Sequence, residues 1–215
     1  MRLFKVKDTG DFAEYKEQYF KEEHDEATLE SWLENNSQSI VEDSALLIIG
    51  RQVATNLNSY IDLLALDKQG NTAVLELKRG KTPRETIAQA LEYASWVEGL
   101  EYEKLEQIFQ DYIDSDTQSL SEYHKAYFKL GEADAVSFNK EQRIVIVGYD
   151  ISPEIRQTAL FLRRKEIRVT CIEFNYFLNA NKEQLLSVDI VIGKEPLTKG
   201  RLVTEKRPKT DKKAF

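Results

Sequence analysis

Residues 59–78 read SYIDLLALDKQGNTAVLELK, a β-hairpin pattern that holds three charged residues where charge is costly. Two runs rich in Ile, Leu and Val, 60–66 and 72–77, flank a polar cluster around Gly70. This pattern predicts two antiparallel strands, because aliphatic residues favour strands and glycine supplies the positive φ of a tight turn. If residues 68–70 form a three-residue loop, the numbers of paired residues sum to 138.

This register places two acidic residues, Asp62 and Glu76, directly opposite each other. Cβ atoms of opposed residues lie about 4.5 to 5.5 Å apart. Lys78 falls on the same face as Glu76, because side chains alternate along a strand. One face of the hairpin is therefore predicted to carry two carboxylates and an ammonium group. The other face is expected to carry Ile61, Leu63, Leu75 and Leu77.

Two opposed carboxylates inside an apolar sheet repel each other and lose solvation, a cost of several kcal/mol per ion unless something compensates. A divalent cation is the usual compensation. Hard oxygen ligands in an open ligand set favour Mg²⁺ or Mn²⁺ over structural zinc. Lys78 would orient or deprotonate a metal-bound water, or neutralise charge on a phosphate. The spacing is thus typical of metal-assisted phosphodiester hydrolysis.

A solvated ion pair between Lys78 and either acid is the ordinary explanation of so short a motif. Its neighbours weigh against that explanation, because Asp62 and Glu76 are each flanked by Ile or Leu on both sides. On the hairpin alone, the two interpretations have equal weight.

The longer segment 50–97, GRQVATNLNSYIDLLALDKQGNTAVLELKRGKTPRETIAQALEYASWV, resembles the PD-(D/E)XK nuclease superfamily and, within it, the nuclease domain of NucS-type endonucleases. That family has an Asp strand, an ELK strand and a following helix with a Gln and a Tyr one turn apart. The resemblance implies a catalytic role for the five matching residues Asp62, Glu76, Lys78, Gln89 and Tyr93.

What the resemblance implies for the fold is an α/β domain with a restriction-endonuclease-like mixed β-sheet flanked by helices. For function it implies a Mg²⁺- or Mn²⁺-dependent DNA endonuclease of repair or defence. The alternative is a catalytically silent module of the same fold that binds nucleic acid or a protein partner. NucS-type enzymes also carry a separate N-terminal DNA-binding domain, so their substrate preference is not transferred to this chain.

A helix predicted at 25–36, DEATLESWLENN, has apolar residues at helical spacing and an N-cap in Asp25. In the resembled nucleases a helix of this form gives an acidic residue to the metal site. Glu26 matches that position best, and Glu30 is the alternative. Solvated glutamates beside an amphipathic stripe explain the same pattern equally well.

A second helix is predicted to begin after the hairpin, with Thr82 as N-cap, Pro83 as its first residue, Glu85 completing a capping box, and an end near Glu98. Four basic residues surround its start, where the helix dipole also favours phosphate. They form the predicted DNA contact: Lys78, Arg79, Lys81 and Arg84.

This helix must pack back across the sheet, so Gln89 and Tyr93 are expected to reach the carboxylates. Gln89 would bind metal water or a phosphate oxygen, and Tyr93 would donate a hydrogen bond or stack on a base. Alone, a Gln and a Tyr on one helix more commonly mark an interface with a polar edge.

The strand predicted at 45–53, with a bulge or bend at Gly50, is followed by polar side chains. Arg51 and Gln52 are candidate contacts to a phosphate or a base edge of DNA. Capping of the strand end is their more ordinary role and is favoured here.

The other elements divide the chain into an N-terminal appendage (1–24), a nuclease-like domain (25–193) and a basic tail (194–215). The appendage is expected to hold a strand at 3–6 and a helix at 12–20. The second half predicts two amphipathic helices, a strand–helix–strand unit with parallel strands, and an edge strand. These elements are placed at 102–113, 120–130, 143–148, 153–165, 167–174 and 185–192.

Composition bounds the function more loosely. The 215 residues are 41% hydrophobic and 31% charged, without an apolar run of membrane-spanning length or a signal-peptide pattern, which favours a cytoplasmic protein. A net charge of −7 argues against nonspecific coating of nucleic acid. The tail has eight basic and three acidic residues and suits a phosphate-binding arm or, as favoured here, a solvated disordered end. DNA is the expected partner, and a homodimer would supply two active sites.

Overall fold

The computed structural model describes residues 2–40, 45–131 and 133–194. Its strands are β1 (Leu3–Val6), β2 (Phe12–Gln18), β3 (Leu47–Ala54), β4 (Tyr60–Leu66), β5 (Thr72–Lys81), β6 (Gln142–Asp150), β7 (Arg168–Leu178) and β8 (Gln184–Ile192). Its helices are α1 (Phe20–Glu23), α2 (Glu26–Asn35), α3 (Ser37–Ile40), α4 (Glu85–Glu98), α5 (Tyr102–Ile113), α6 (Leu120–Tyr127) and α7 (Pro153–Arg164).

One mixed sheet joins these strands in the order β1-β2-β7-β6-β5-β4-β3, with β8 paired to β7. The β3-β4-β5 meander is antiparallel, whereas β5, β6 and β7 run parallel and are connected through helices. Parallel neighbours need such crossovers, and their buried strands are continuous apolar runs such as the IVIV of β6. The predicted mixed α/β sheet flanked by helices is confirmed.

The hairpin of β4 and β5 has the predicted register, since Leu63 pairs with Leu75 and the pairing continues to the turn. The amide of Asp67 donates to the carbonyl of Asn71 at 2.9 Å, which leaves a three-residue loop at 68–70. Gly70 in that loop has φ +86°, a conformation that costs glycine little.

Helices cover both faces of the sheet. On one face, Leu29 and Leu33 of α2 pack with Leu63, Leu75 and other buried residues of the central strands. On the other face, α4 and α5 cover β3, β4 and β5, while α4 and α7 cover β6 and β7. Side chains from a different helical layer can therefore reach the β4–β5 hairpin from each face of the sheet.

Ile61 was expected on the same face as Leu63, but it packs in the cluster of α4 and α5. The ladder between β4 and β5 ends at the pair of Leu63 and Leu75. Beyond the last pair the strands are no longer held flat against each other, so simple alternation of faces fails there.

The helix predicted at 12–20 is wrong, because those residues form β2. Alternate residues of FAEYKEQ point to one side, and Tyr15 on that side is buried. Lys16, Glu17 and Gln18 pair with the end of β7, so the N-terminal hairpin extends the sheet. The domain boundary at residue 24 stays a prediction.

The start of α4 also differs from its prediction. The N-cap is Arg84, and the helix begins at Glu85. Thr82 is buried, and its amide and hydroxyl both donate to the carbonyl of Asp150 while the hydroxyl accepts from the amide of Ser152. Thr82 therefore ties β5 to β6 and does not cap the helix.

In the described residues, no helix has the length and apolar character needed to cross a membrane. The predicted basic tail lies outside the described residues beyond Lys194.

Candidate active site

The site begins where β4 and β5 part. Past the last paired residues of the hairpin, the amide of Leu77 donates at 2.8 Å to Oδ2 of Asp62 instead of to a backbone carbonyl. The side chain of Asp62 thus replaces a ladder hydrogen bond, which aims its carboxylate at β5. This local exchange brings Asp62 to the strand that carries Glu76 and Lys78.

Glu76 is only 2% exposed and forms a short ion pair, with Nζ of Lys78 donating to its Oε1 at 2.6 Å. Burial and then the charge of Asp62 raise the pKa of Glu76 to about 7, against the opposing effect of Lys78. Its second oxygen, Oε2, is buried and has no hydrogen-bond partner among the described residues. A buried carboxylate oxygen without a partner is energetically costly and is open to a cation.

The other two central groups also have shifted pKa values. Burial raises the pKa of Asp62, although the Leu77 amide and the Lys78 charge oppose the shift. Burial disfavours the charge of Lys78, but the hydrogen bond and charge of Glu76, aided by Asp62, hold the pKa of Lys78 above its ordinary value. The site therefore holds a lysine that stays charged beside two carboxylates whose ionisation is disfavoured by burial.

Gln52, which was predicted to cap the strand end or to contact DNA, bridges this hairpin to α2. Its Nε2 lies 3.1 Å from Oδ1 of Asp62 and 3.0 Å from Oε1 of Glu30. Gln52 has φ +49° and follows the predicted bulge at Gly50, where the register of β3 shifts. The Gly-Arg-Gln sequence at the strand end was the available signal, but the contact joins segments ten and twenty-two residues apart.

Arg51 is turned to the helix and not to solvent. Its guanidinium donates to Glu30, Ser31, Glu34 and the carbonyl of Ala27 at 3.0 to 3.1 Å. These bonds occupy most of its donors and tie β3 to α2. A direct contact of Arg51 with DNA finds no support in this geometry.

The two acidic residues considered for the metal site have different environments. Glu30 is buried, and its carboxylate is already bound by Arg51 and Gln52. Glu26 is half-buried at the first turn of α2, and its charge contributes to the raised pKa values of Asp62 and Glu76. Of the two, Glu26 is the one whose carboxylate is available to a metal ion, because that of Glu30 is already bound.

On α4, Tyr93 and Gln89 are placed differently. Tyr93 is buried, and its pKa is raised by burial and then by the charge of Glu76, with a smaller contribution from Asp62. Gln89 is exposed, and its side chain has no hydrogen bond with the described part of the chain. The structure brings Tyr93 to the acids and leaves Gln89 at the rim.

Three of the predicted basic residues have neighbours that accept from them or carry opposite charge. Arg79 lies near the carbonyl of His24, Lys81 lies 3.9 Å from Asp150, and Arg84 lies 3.7 Å from Glu154. Both ion pairs are exposed and weak. The positive charge is therefore spread along the end of β5 and the start of α4.

The residues present suit a divalent cation. No three His, Cys, Asp or Glu side chains within the described ranges are arranged as a metal site. Mg²⁺, however, keeps several waters and is often held by only one or two carboxylates. Asp62 and Glu76 supply those two, and the unpartnered Oε2 of Glu76 is the oxygen that a cation would satisfy.

Comparison with known proteins finds solved structures whose fold is similar to that of this chain. No protein-family model and no curated protein matches the chain. Similar solved structures include a complex of EndoMS with double-stranded DNA, which is 17% identical to this chain and has a TM-score of 0.39. The matched region covers 69% of this chain and 44% of the EndoMS chain. Another is a repair endonuclease from Pyrococcus abyssi, with 17% identity and a TM-score of 0.40. That match covers 70% of this chain and 47% of the endonuclease.

Both are nucleases of the type that segment 50–97 resembles. The chain spans less than half the length of these proteins. A function for this chain is therefore proposed from its own side chains.

Proposed function

We propose that this chain is a Mg²⁺- or Mn²⁺-dependent DNA endonuclease. The observation that carries the proposal is the convergence of Asp62, Glu76 and Lys78 at the parting of β4 and β5. A buried acid and a half-buried acid with raised pKa values, beside a charged lysine, are costly to keep in a merely structural sheet. A cation and an anionic substrate would together relieve that cost.

Each residue would have a distinct task. Asp62, held by the Leu77 amide and Gln52, and Glu76, with its unpartnered oxygen, would hold the cation. The bound cation would stabilise charge on the scissile phosphate and lower the pKa of the attacking water. Because the pKa of Lys78 is raised, Lys78 would act as a cation that neutralises phosphate charge and not as a base.

Substrate positioning would fall to residues around this centre. Tyr93, beside the acids, would donate its hydroxyl hydrogen to a phosphate oxygen, and Gln89 at the rim would contact the next one. Glu26 would complete the metal shell through water. Arg79, Lys81 and Arg84 would bind flanking phosphates, since their own ion pairs are weak.

The test is cleavage of supercoiled, linear, flapped and mismatched DNA with Mg²⁺, Mn²⁺ or EDTA. We expect metal-dependent cutting that Asp62→Ala and Lys78→Ala abolish. Lys165→Ala, which changes an exposed lysine at the C-terminal end of α7, should retain it. Equal cutting by the two site variants would reveal a contaminant and overturn the proposal. Light scattering of the active protein would test the expected homodimer.

One observation favours the second candidate, a catalytically silent module. The 2.6 Å bond from Lys78 already neutralises one oxygen of Glu76 without any metal. A silent module would bind DNA or a protein partner and show no metal-dependent cutting. Binding of DNA with no cleavage under any metal condition would support it over the enzyme.

A further inference from the structure

Residues 134–138, in the connection between α6 and β6, separate two clefts at the turn of the β4–β5 hairpin, the end of the hairpin away from the candidate active site. Val136 and Phe138 line the first cleft, of about 500 Å³, and Ala135 and Ser137 line the second, of about 480 Å³. Neighbouring side chains of this segment thus turn to opposite sides, as they do along a β-strand. We call residues 134–138 the ridge.

The ridge rests on the hairpin turn and is fixed at its C-terminal end by Asn139. The backbone amide of Asn139 donates to the carbonyl of Gly70 at 2.9 Å. Its side-chain Nδ2 donates to the carbonyls of Val97 and Leu100 at 2.7 and 2.9 Å. A Cβ at Gly70 would lie 2.6 Å from Cγ1 of Val136, so the ridge and the turn are in close contact. The ridge is therefore held in position before any partner binds.

The backbone of the ridge is open to pairing. Within the described ranges, the N–H and C=O groups of residues 135–137 form no hydrogen bond with other protein groups. Ala135 and Ser137 are exposed, so another chain can reach these groups. A fixed segment with strand-like alternation and unpaired backbone groups is a template on which a peptide adds as a β-strand.

The first cleft carries negative charge. Glu98 and Glu101 line it, and its described lining residues include no lysine or arginine. It also lies at the C-terminal end of α4, where the helix dipole contributes partial negative charge. The rings of Tyr102 and Phe138, 5.3 Å apart, supply an aromatic wall. Carboxylates beside aromatic rings match the charged head and apolar stem of a lysine or arginine side chain.

The second cleft has the opposite character. Lys140 and Arg168 line it, together with the exposed Glu141. The guanidinium of Arg168 lies 3.4 Å from Glu141 and 3.5 Å from Asp67, and the Asp67 carboxylate already accepts from the turn that follows it. These pairs are long, so Arg168 and Lys140 can both receive the carboxylate of a ligand.

We propose that the ridge binds an extended peptide segment of a protein partner, which adds as a β-strand with a basic side chain in the first cleft and the adjacent acidic side chain in the second. Consecutive side chains of a strand point to opposite sides, so a lysine or arginine next to a glutamate or aspartate meets both clefts at once. This contact goes beyond the proposed nuclease function, because it would hold a partner at the hairpin turn without covering the acids.

The probe is a short fluorescent peptide with lysine and glutamate side by side at its centre and valine and threonine around them, measured by fluorescence anisotropy. We expect saturable binding, and weaker binding of a peptide with glutamate in place of the lysine. The double variant Glu98→Gln with Glu101→Gln should lose about 2- to 5-fold in affinity for each carboxylate removed, the effect of an exposed ion pair. Glu22→Gln with Glu23→Gln, which changes two exposed acids of α1, is the matched control and should bind as the unaltered protein does.

Methylation of the peptide nitrogens tests pairing through the backbone. Amide groups alternate in direction along a strand, so only one alternating set can face the ridge. N-methyl groups on that set should abolish binding, whereas N-methyl groups on the other set should leave it unchanged. Circular dichroism would verify that each protein variant is folded.

Equal affinity for the peptide that lacks lysine, unchanged affinity in the folded Glu98→Gln, Glu101→Gln protein, or equal tolerance of both methylation patterns would each overturn the proposal, as would the absence of binding. Displacement of the peptide by oligothymidylate would assign the ridge to nucleic acid and overturn it as well. None of these outcomes depends on whether the protein cuts DNA.

Discussion

Gln52 shows how one backbone angle sets the position of a candidate catalytic side chain. Its φ of +49° is unusual for a residue other than glycine, and it turns the side chain toward Asp62 and Glu30. Left-handed backbone at such a residue costs on the order of 1 kcal/mol or more. The two hydrogen bonds from its amide offset that cost, and they hold Asp62 from the side opposite Leu77.

Gln52→Gly removes the side chain and leaves the backbone angle in place, because glycine adopts a positive φ without strain. We expect folding stability to change by no more than about 1 kcal/mol. Cleavage should fall about 10- to 100-fold, the usual effect of losing a group that orients a metal ligand. The measurement is the cleavage rate at saturating Mg²⁺ together with urea unfolding.

Asn58→Gly is the matched control, since Asn58 also has a positive φ, of +58°, but lies exposed in the loop before β4. It should leave cleavage unchanged. A Gln52→Gly protein that cuts as fast as Asn58→Gly would show that Asp62 needs no support from Gln52.

His124 is a second buried polar residue, and it lies away from the site. It is fully buried against the rings of Phe128 and Phe138. Its Nε2 lies 2.8 Å from the carbonyl of Asp67, which must accept, so Nε2 carries the hydrogen. Nδ1 is buried and has no partner in the part of the chain that the structure describes. Burial lowers the pKa of His124 below its ordinary 6.5, because a second proton would find no acceptor.

A lowered folded-state pKa means that the unfolded chain binds this proton more readily. Stability contributed by neutral His124 should therefore be present above pH 6.5 and decline as the pH falls below that value. His124→Gln, which keeps a donor for Asp67, should reduce the fall in unfolding free energy between pH 7.5 and 5.5. An equal fall in both proteins, measured by urea unfolding at each pH, would assign the pH dependence to other groups.

At the scale of elements, the contact between β5 and β6 places the basic end of β5. The two strands run parallel, and the register shifts after the pair of Lys78 and Gly148. Thr82 then holds the strand end through Asp150 and Ser152. A Cβ at Gly148 would lie 2.6 Å from Cγ2 of Thr82, so glycine is required here for close approach and not for a special φ.

Gly148→Ala should destabilise the fold by about 1 to 3 kcal/mol, the usual cost of overpacking. Thr82→Ser removes Cγ2 and keeps the hydroxyl that bonds Asp150 and Ser152. The double variant should therefore recover most of the loss, and a double-mutant cycle from denaturant unfolding measures the coupling. Additive losses would show that the clash lies elsewhere.

The whole molecule places the site between two helical layers. α2 brings Glu26 from one face of the sheet, and α4 brings Tyr93 from the other, while the hairpin holds the acids between them. Folding thereby confines like charges in one place. A ligand that binds only this folded arrangement must stabilise the entire fold.

Mg²⁺ or Mn²⁺ at 100 times its dissociation constant should raise the free energy of unfolding by about 2.7 kcal/mol. Glu76→Gln should abolish that gain, because an amide is a poor ligand for these ions in place of a carboxylate. Glu103→Gln, an exposed residue of α5, should keep it. Thermal unfolding with and without metal makes the comparison, and a gain that survives in Glu76→Gln would place the cation elsewhere.

The structure also shows where inference from sequence stopped. The register of β4 and β5 followed from one turn and two aliphatic runs, but the ladder ends at Leu63 and Leu75. Asp62 is therefore not paired with Glu76 as predicted, and its carboxylate accepts from the Leu77 amide instead. The strand β2 was mistaken for a helix, because its alternation is weak and the end of β2 that joins the main sheet pairs with β7, about 160 residues away. The Thr82 capping box was misassigned for a similar reason, since Thr82 bonds to Asp150 in a strand that is distant in sequence.

From sequence alone, Asp62, Glu76 and Lys78 could be assigned to one site, because they lie in a single hairpin whose register a local turn sets. The alignment of Gln52, the burial of Glu30 by Arg51, and the attachment of Asn139 to the end of α4 were decided only when separate segments packed together. Local propensity acts over a few residues, whereas these contacts join residues 21 to 42 positions apart, and their geometry depends on how the layers pack.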